Sequence, residues 1–357
     1  MNKLIIIGNG FDLAHGLNTR YSDFLVWYLR QAIERTSLNM QHEDPLIHIE
    51  GRWGNKANFS NLKDFDYFVK EAVGLRINYK SDYFKDLVNN STKNNWVDIE
   101  SDYYSRLISI YEGFIKGQLI AREPTLIALE KFHFHFSAIK EKLIEYLNTI
   151  KISPDFFNEE ISSALENIIY SPHSVISDEN EGDHILLLNF NYTSTLKLYS
   201  RELRPDMKKE IIHIHGSLND PINPIIFGYG DEMDPYYEKI ENLNNNEFLK
   251  NIKSFGYFKT DNYQKFLRFI DSSKYKVYIL GHSCGISDRI LLNNIFEHDN
   301  CQAIKIFYHQ RGKNDTDFFE KTQEISRHFR PLKKSLMRKL IVPFPDCSPL
   351  TPYVPNK

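Results

Sequence analysis

The chain is poor in the residues that mark several common protein classes. It has three cysteines, Cys284, Cys301 and Cys347, in 357 residues. None sits in a C-x-x-C pair, which excludes a zinc ribbon or a dithiol redox pair, and the odd, widely spaced set points to a reducing compartment. No apolar run approaches the roughly 18 residues of a membrane-spanning helix, and the N-terminus lacks a signal-peptide pattern. A soluble, cytoplasmic protein is expected, without a membrane partner. An excess of one charge is also missing: 44 Lys and Arg face 47 Asp and Glu, net −3, which gives no general case for nucleic acid. No G-K-[ST] follows a glycine turn, so there is no Walker loop. Internal repeats and low-complexity segments are absent.

What is abundant is aromatic: 25 Phe and 21 Tyr, within a hydrophobic content of 41% that supports a substantial core. Three continuous apolar runs, Leu4-Ile5-Ile6-Ile7, Ile185-Leu186-Leu187-Leu188 and Val277-Tyr278-Ile279-Leu280, read as strands buried on both faces. Shorter strands are expected at Ile211 to His215 and Ile304 to Tyr308, the latter as the last, with an apolar stretch Pro224 to Phe227 between them. Residues 11–36 and Thr125 to Ile150 carry helical periodicity, and Trp96 to Phe114 and Phe65 to Val73 read as further helices. Residues 171–182 form a polar loop. The expected fold is α/β, a doubly wound, mostly parallel Rossmann-type sheet in one domain over 1–357, with 37–150 as a helical insertion or lid.

Four polar motifs stand at the carboxyl ends of these strands, where parallel sheets bind ligands. They are Gly8-Asn9-Gly10-Phe11-Asp12, Asn189-Phe190-Asn191-Tyr192-Thr193, His213-Ile214-His215-Gly216-Ser217, and Gly281-His282-Ser283-Cys284-Gly285-Ile286-Ser287-Asp288. The first departs from G-x-G-x-x-G, with Leu13 at the third glycine position and Gly16 beyond it. Together they would line a pocket of small, hydrogen-bonding, mostly uncharged groups, suited to a ribose and a pyrophosphate. A histidine titrates near neutral pH and can relay a ribose proton, and a neutral asparagine can hold water or ribose without competing for it. His215 and Asn191 supply these types. Asp12 and Asp288 can bind ribose hydroxyls or cap the helices that follow their turns.

In this order, GNGFDLAHGLNTRYSDF, WVDIE at Trp96 to Glu100, NFNYT, HIHGS and GHSCGISD resemble the AbiH family of bacterial abortive-infection proteins. The layout also resembles, more remotely, the sirtuin-like NAD+-consuming fold. That resemblance implies Asn191 and His215 as catalytic residues. It places Gly8, Gly10 and Gly16 on the first nucleotide-binding loop, and Gly281 and Ser283 on the last; Asn9, Asp12 and Asp288 are expected to bind the nucleotide beside them. Sirtuin deacetylases carry a four-cysteine zinc module that this chain lacks, so the resemblance points to cleavage of NAD+ or a related nucleotide, with NAD+ as substrate and no metal. A phage-derived trigger, a protein partner or a second copy of the chain would complete such a system.

Other readings compete. Gly281-x-Ser283-x-Gly285 fits a nucleophile elbow between strand and helix. A serine hydrolase would then take Asp299 or Asp315 with His309 or His328, in a short remaining chain. A non-catalytic nucleotide sensor controlling a partner would use the same pocket. His213 and His215, two apart on a strand, could pair on a metal, but no carboxylate set completes the ligands. His133 and His135 read as core histidines. Asp98 and Glu100 suit a helix N-terminus, or a lid presenting Trp96 or Glu100 to the pocket. The basic stretch Arg327 to Lys339 reads as a solvated face.

Overall fold

The computed structural model describes residues 1–51, 57–72, 74–94, 98–117, 122–170, 184–199 and 208–353. The chain opens with β1 (Asn2–Ile7), α1 (Asn9–Ala14) and α2 (Tyr21–Asn39). Next come β2 (Gln41–Glu43), β3 (Ile47–Gly51), α3 (Leu62–Glu71), β4 (Leu75–Tyr79), α4 (Asp82–Asn94), α5 (Ile99–Lys116) and α6 (Arg122–Thr149). Then follow α7 (Glu159–Tyr170), β5 (Ile185–Asn189), β6 (Lys209–His213), α8 (Pro235–Glu241), α9 (Lys253–Gly256) and α10 (Asn262–Ser272). The chain ends with β7 (Tyr275–Leu280), α11 (Arg289–Phe296), β8 (Cys301–Tyr308), α12 (Phe318–Arg327), α13 (Lys334–Leu340) and β9 (Ser348–Pro349).

Six strands form one parallel sheet in the order β6-β5-β1-β7-β8-β9. From β1 the chain builds outward through β5 to β6, then returns to the other side of β1 with β7. The reversal therefore lies between the ends of β1 and β7, the place where such sheets open a crevice. Register puts the strand ends level: Ile7 pairs with both Asn189 and Leu280, and Asn189 pairs with His213. The apolar run of β1 serves both faces. Leu4 and Ile6 pack with Phe266 and Phe269 of α10 and Leu291 and Ile295 of α11. Ile5 and Ile7 pack with Phe11 of α1 and Ile161 and Leu165 of α7. Two-sided burial is why these strands show no polar alternation.

The aromatic residues concentrate elsewhere. Helices α2 to α6 enclose a separate core in which Phe24, Tyr28, Phe84, Tyr103, Phe132 and Phe136 are buried. Tyr103 stacks on Phe132 at 5.0 Å and Phe136 on Phe227 at 4.9 Å. This body is not purely helical, as the sequence suggested. It carries a three-stranded antiparallel sheet, β2-β3-β4. Ile47 and Ile49 are buried while His48 and Glu50 are partly exposed, a two-residue period too short to stand out among polar neighbours.

Two further expectations change. The helical stretch 11–36 is two helices, broken over His15 to Arg20. Ile304 to Tyr308 is not the last strand, because β9 adds a two-residue pairing beyond it. Residues 224–227 join no strand ladder and are held by Ile226 N–H donating to the His215 carbonyl at 2.8 Å. Trp96 and the 171–182 loop lie outside the described residues. Among the described residues no helix is long and apolar enough to cross a membrane.

Candidate functional site

All four strand-end motifs open onto one cleft of about 680 Å³ at the reversal point of the sheet. Its far wall comes from the aromatic body, through Tyr21 and Ser22 of α2, Glu100 of α5, and Leu143 and Leu147 of α6. The glycines of the first and last loops interlock. Gly10 N–H donates to the Gly281 carbonyl at 2.7 Å, and Gly8 N–H to the Leu280 carbonyl at 3.2 Å. A Cβ on Gly10 would lie 2.6 Å from that Gly281 oxygen, and one on Gly281, where φ is +70°, 2.1 Å from Phe11 N. Close backbone approach between the two loops therefore explains Gly10 and Gly281 without a ligand. Asn9 is exposed at the rim and accepts from Thr19 Oγ1 at 2.5 Å. Gly16 is exposed, at φ +73°, and ends the turn after α1 instead of lining the cleft.

Asp12 sits in the first turn of α1, 1% exposed. Its Oδ2 accepts from Thr193 Oγ1 at 2.6 Å and its Oδ1 from Asn191 Nδ2 at 3.1 Å. Burial raises its pKa to about 6, against the lowering effect of these hydrogen bonds. Asn191 Nδ2 also donates to the Gly8 carbonyl at 3.1 Å. Both amide hydrogens are thus spent on stitching the β5 loop to the β1 loop, and the amide oxygen is what remains to meet a ligand.

A second network surrounds Asp288. Lys253, its side chain fully buried, donates to Asp288 Oδ1 at 2.7 Å and to Glu100 Oε2 at 2.9 Å. Glu100 Oε1 accepts from Gly228 N–H at 3.1 Å. His215 Nε2 lies 3.2 Å from Asp288 Oδ1 and 3.3 Å from Tyr257 OH, and the ring also hydrogen-bonds the Phe190 backbone. On the other side His282 Nε2 lies 3.6 Å from Asp288 Oδ2. Phe190 packs edge-on against both imidazoles, at 5.0 and 4.3 Å.

Charge orders this cluster. Burial alone would push the Asp288 carboxyl up, but the Lys253 ammonium and then His215 outweigh it and hold the group well below the usual carboxylate range. Burial raises Glu100 to about 7 despite Lys253. Burial, then Lys253, lowers His215, which stays neutral. The arrangement is an ionised carboxylate between two neutral imidazoles, anchored by a buried ammonium.

The site departs from the sequence reading in several places. His213 and His215 do not share a face. Strand geometry ends at His213, whose Nδ1 accepts from Asn189 Nδ2 at 3.3 Å, whereas His215 turns into the cleft. His282, read in the sequence only as the variable position of an elbow, lines the cleft. Ser283 is exposed at the rim and its hydroxyl accepts from Gly285 N–H at 3.4 Å. His328, a candidate base for an elbow serine, is fully buried and donates to the Cys284 carbonyl at 2.8 Å. Asp98 caps α5 by accepting from Ser101 N–H at 3.0 Å, while Glu100 turns to Lys253. His133 is a core residue, hydrogen-bonded to the Glu247 carbonyl at 2.8 Å. Thr193 and Lys253 are additions. Thr193 was visible as the end of the NFNYT motif, but Lys253 lies in a segment with no motif.

No curated protein matches the chain at a significant level. A family model does, across residues 4–310, and its span takes in all four strand-end motifs, α5 with Glu100, and Lys253. By that match the chain belongs to the AbiH family, described as bacteriophage abortive infection AbiH.

Proposed function

We propose that this protein acts in phage defence as a nucleotide-cleaving enzyme that hydrolyses the nicotinamide–ribose bond of NAD+ in the cytoplasm. The observation that carries the reading is the cluster in the cleft: an ionised Asp288 flanked by neutral His215 and His282. Breaking an N-ribosyl bond builds positive charge on the ribose, and a fixed, buried carboxylate stabilises it. Water adds to the ribose carbon as nicotinamide leaves; His215, kept neutral and beside Asp288, takes the proton that the water releases, and Asp288 stabilises the imidazolium that forms. The Asn191 amide oxygen orients water or ribose. The strand order and the crevice at its reversal support a doubly wound, sirtuin-like nucleotide site, with the apolar wall of Tyr21, Leu143 and Leu147 receiving a base.

One observation favours the sensor reading. Both hydrogens of the Asn191 amide are already committed within the protein, and His215 Nε2 already faces Asp288 and Tyr257. A site so satisfied would hold a nucleotide without turning it over. Incubation of the purified protein with NAD+, followed by mass spectrometry, separates the two. The enzyme reading expects free nicotinamide, reduced on the order of 100-fold in His215→Ala. Bound but intact NAD+, with wild type and variant alike, would replace it with the sensor reading.

A further inference from the structure

The two polar networks leave one pair of atoms with unfinished geometry. His282 Nδ1 accepts from Cys284 N–H at 2.9 Å. An imidazole nitrogen that accepts carries no proton, so the neutral ring must carry its hydrogen on Nε2. Nε2 lies 3.6 Å from Asp288 Oδ2, too far apart for a good hydrogen bond. Burial lowers the His282 pKa to about 3, so the ring stays a neutral donor at working pH. Asp288 cannot swing to close the gap, because the Lys253 ammonium at 2.7 Å holds its other oxygen. His282 is held just as firmly, by Cys284 N–H on one edge and Phe190 against its ring. Both residues line the cleft.

A fixed donor beside a fixed acceptor, slightly too far apart to satisfy each other, matches a hydroxyl group. A hydroxyl both donates and accepts, so one oxygen about 2.8 Å from each atom completes both bonds. We propose that His282 Nε2 and Asp288 Oδ2 form a clip for a single hydroxyl of the ligand's ribosyl group. This rests on the nucleotide reading of the cleft and adds the sugar feature it recognises. A phosphate oxygen or a lone N–H fits less well. A phosphate oxygen would meet the Asp288 carboxylate head-on, and an N–H would leave His282 without an acceptor. Lys253 is the positioning residue: it fixes the carboxylate rotamer and charge on which the clip depends. His282 is set in turn by Cys284, whose backbone at φ +57° aims its N–H back at the ring.

The test varies the ligand first, so it does not depend on a variant folding. Calorimetry compares binding of NAD+ with NAD+ analogues lacking the 2′- or the 3′-hydroxyl of the nicotinamide ribose. The clip expects one of the two analogues to bind about 10- to 100-fold more weakly, as for a lost hydrogen bond to a charged group. In Asp288→Asn the difference should collapse, because Lys253 keeps the amide oxygen and leaves Nδ2, a donor, facing His282. Equal binding of NAD+ and both analogues overturns the clip and leaves the nucleotide reading standing. A discrimination that survives unchanged in Asp288→Asn also overturns it. Absence of any NAD+ binding overturns the nucleotide reading, and the clip with it.

Discussion

Asp12 and Asp288 line the same cleft, follow the same kind of strand-to-helix turn, and are 1% and 8% exposed. Their acidities move in opposite directions: burial raises Asp12 to about 6, whereas Asp288 stays well below the usual range. The difference lies in their partners. Asp12 is held by an amide and a hydroxyl, Asn191 and Thr193, which ease its burial but bring no charge. Asp288 is held by the Lys253 ammonium, which reverses the effect of burial. Burial sets the cost of a charge, and the partner decides whether the charge is kept. Two carboxyls pushed apart in this way give one site both a protonatable group and a permanent anion.

The largest expected effect comes from removing the cation that makes the contrast. Lys253→Met leaves Asp288 and Glu100 buried without their counter-ion and is expected to cost about 3–5 kcal/mol in denaturant unfolding. A loss below about 1 kcal/mol would mean that Lys253 does not carry the difference between the two aspartates.

Next comes Asp12. Its folded pKa is raised, so between the ordinary value of 3.8 and about 6 the folded state binds more protons than the unfolded chain. Stability therefore falls as pH rises through that window. The penalty is absent below it and complete above it, at about 3 kcal/mol by linkage. Asp12→Asn removes the titration while keeping an acceptor for Asn191 and a donor for the Thr193 hydroxyl. Relative to wild type, the variant should gain stability progressively from pH 4 to pH 6 and keep that gain at pH 7. A constant offset across the range would contradict the assignment. Because Glu100 also titrates near neutrality, the quantity to read is the difference between the two proteins, not either slope alone.

The smallest effect concerns the cleft rim. Ser283 is exposed, and its described hydrogen bond is local. As a ligand contact, Ser283→Ala should weaken nucleotide binding by about 1 kcal/mol, and a fluorophosphonate probe should leave the protein unlabelled. Stoichiometric labelling at Ser283 would promote the hydrolase reading instead.

How far the sequence could be read follows from what it encodes locally. The three apolar runs identified β1, β5 and β7 because burial on both faces writes itself as an unbroken run. The motifs at their ends then pointed to the cleft, since level strand ends bring them together. The small antiparallel sheet and β9 were not readable, being strands of two to five residues whose pairing is set by the fold around them. Lys253 was invisible for the same reason. Its meaning comes from Glu100, 153 residues away, and Asp288, 35 residues away, and nothing in its own neighbourhood signals either. His282 was legible only as the variable position of an elbow. Its tautomer depends on a backbone bond from Cys284.

The most direct test of this contrast is a pH titration of the side-chain carboxyl carbons by 13C NMR, with Asp12 and Asp288 assigned through their Asn variants. The expected result is a midpoint near 6 for Asp12, while Asp288 remains ionised throughout the range in which Asp12 titrates. If the two carboxyls titrated together near 4, the claim that Lys253 divides the cleft into a protonatable side and a permanently charged side would be contradicted.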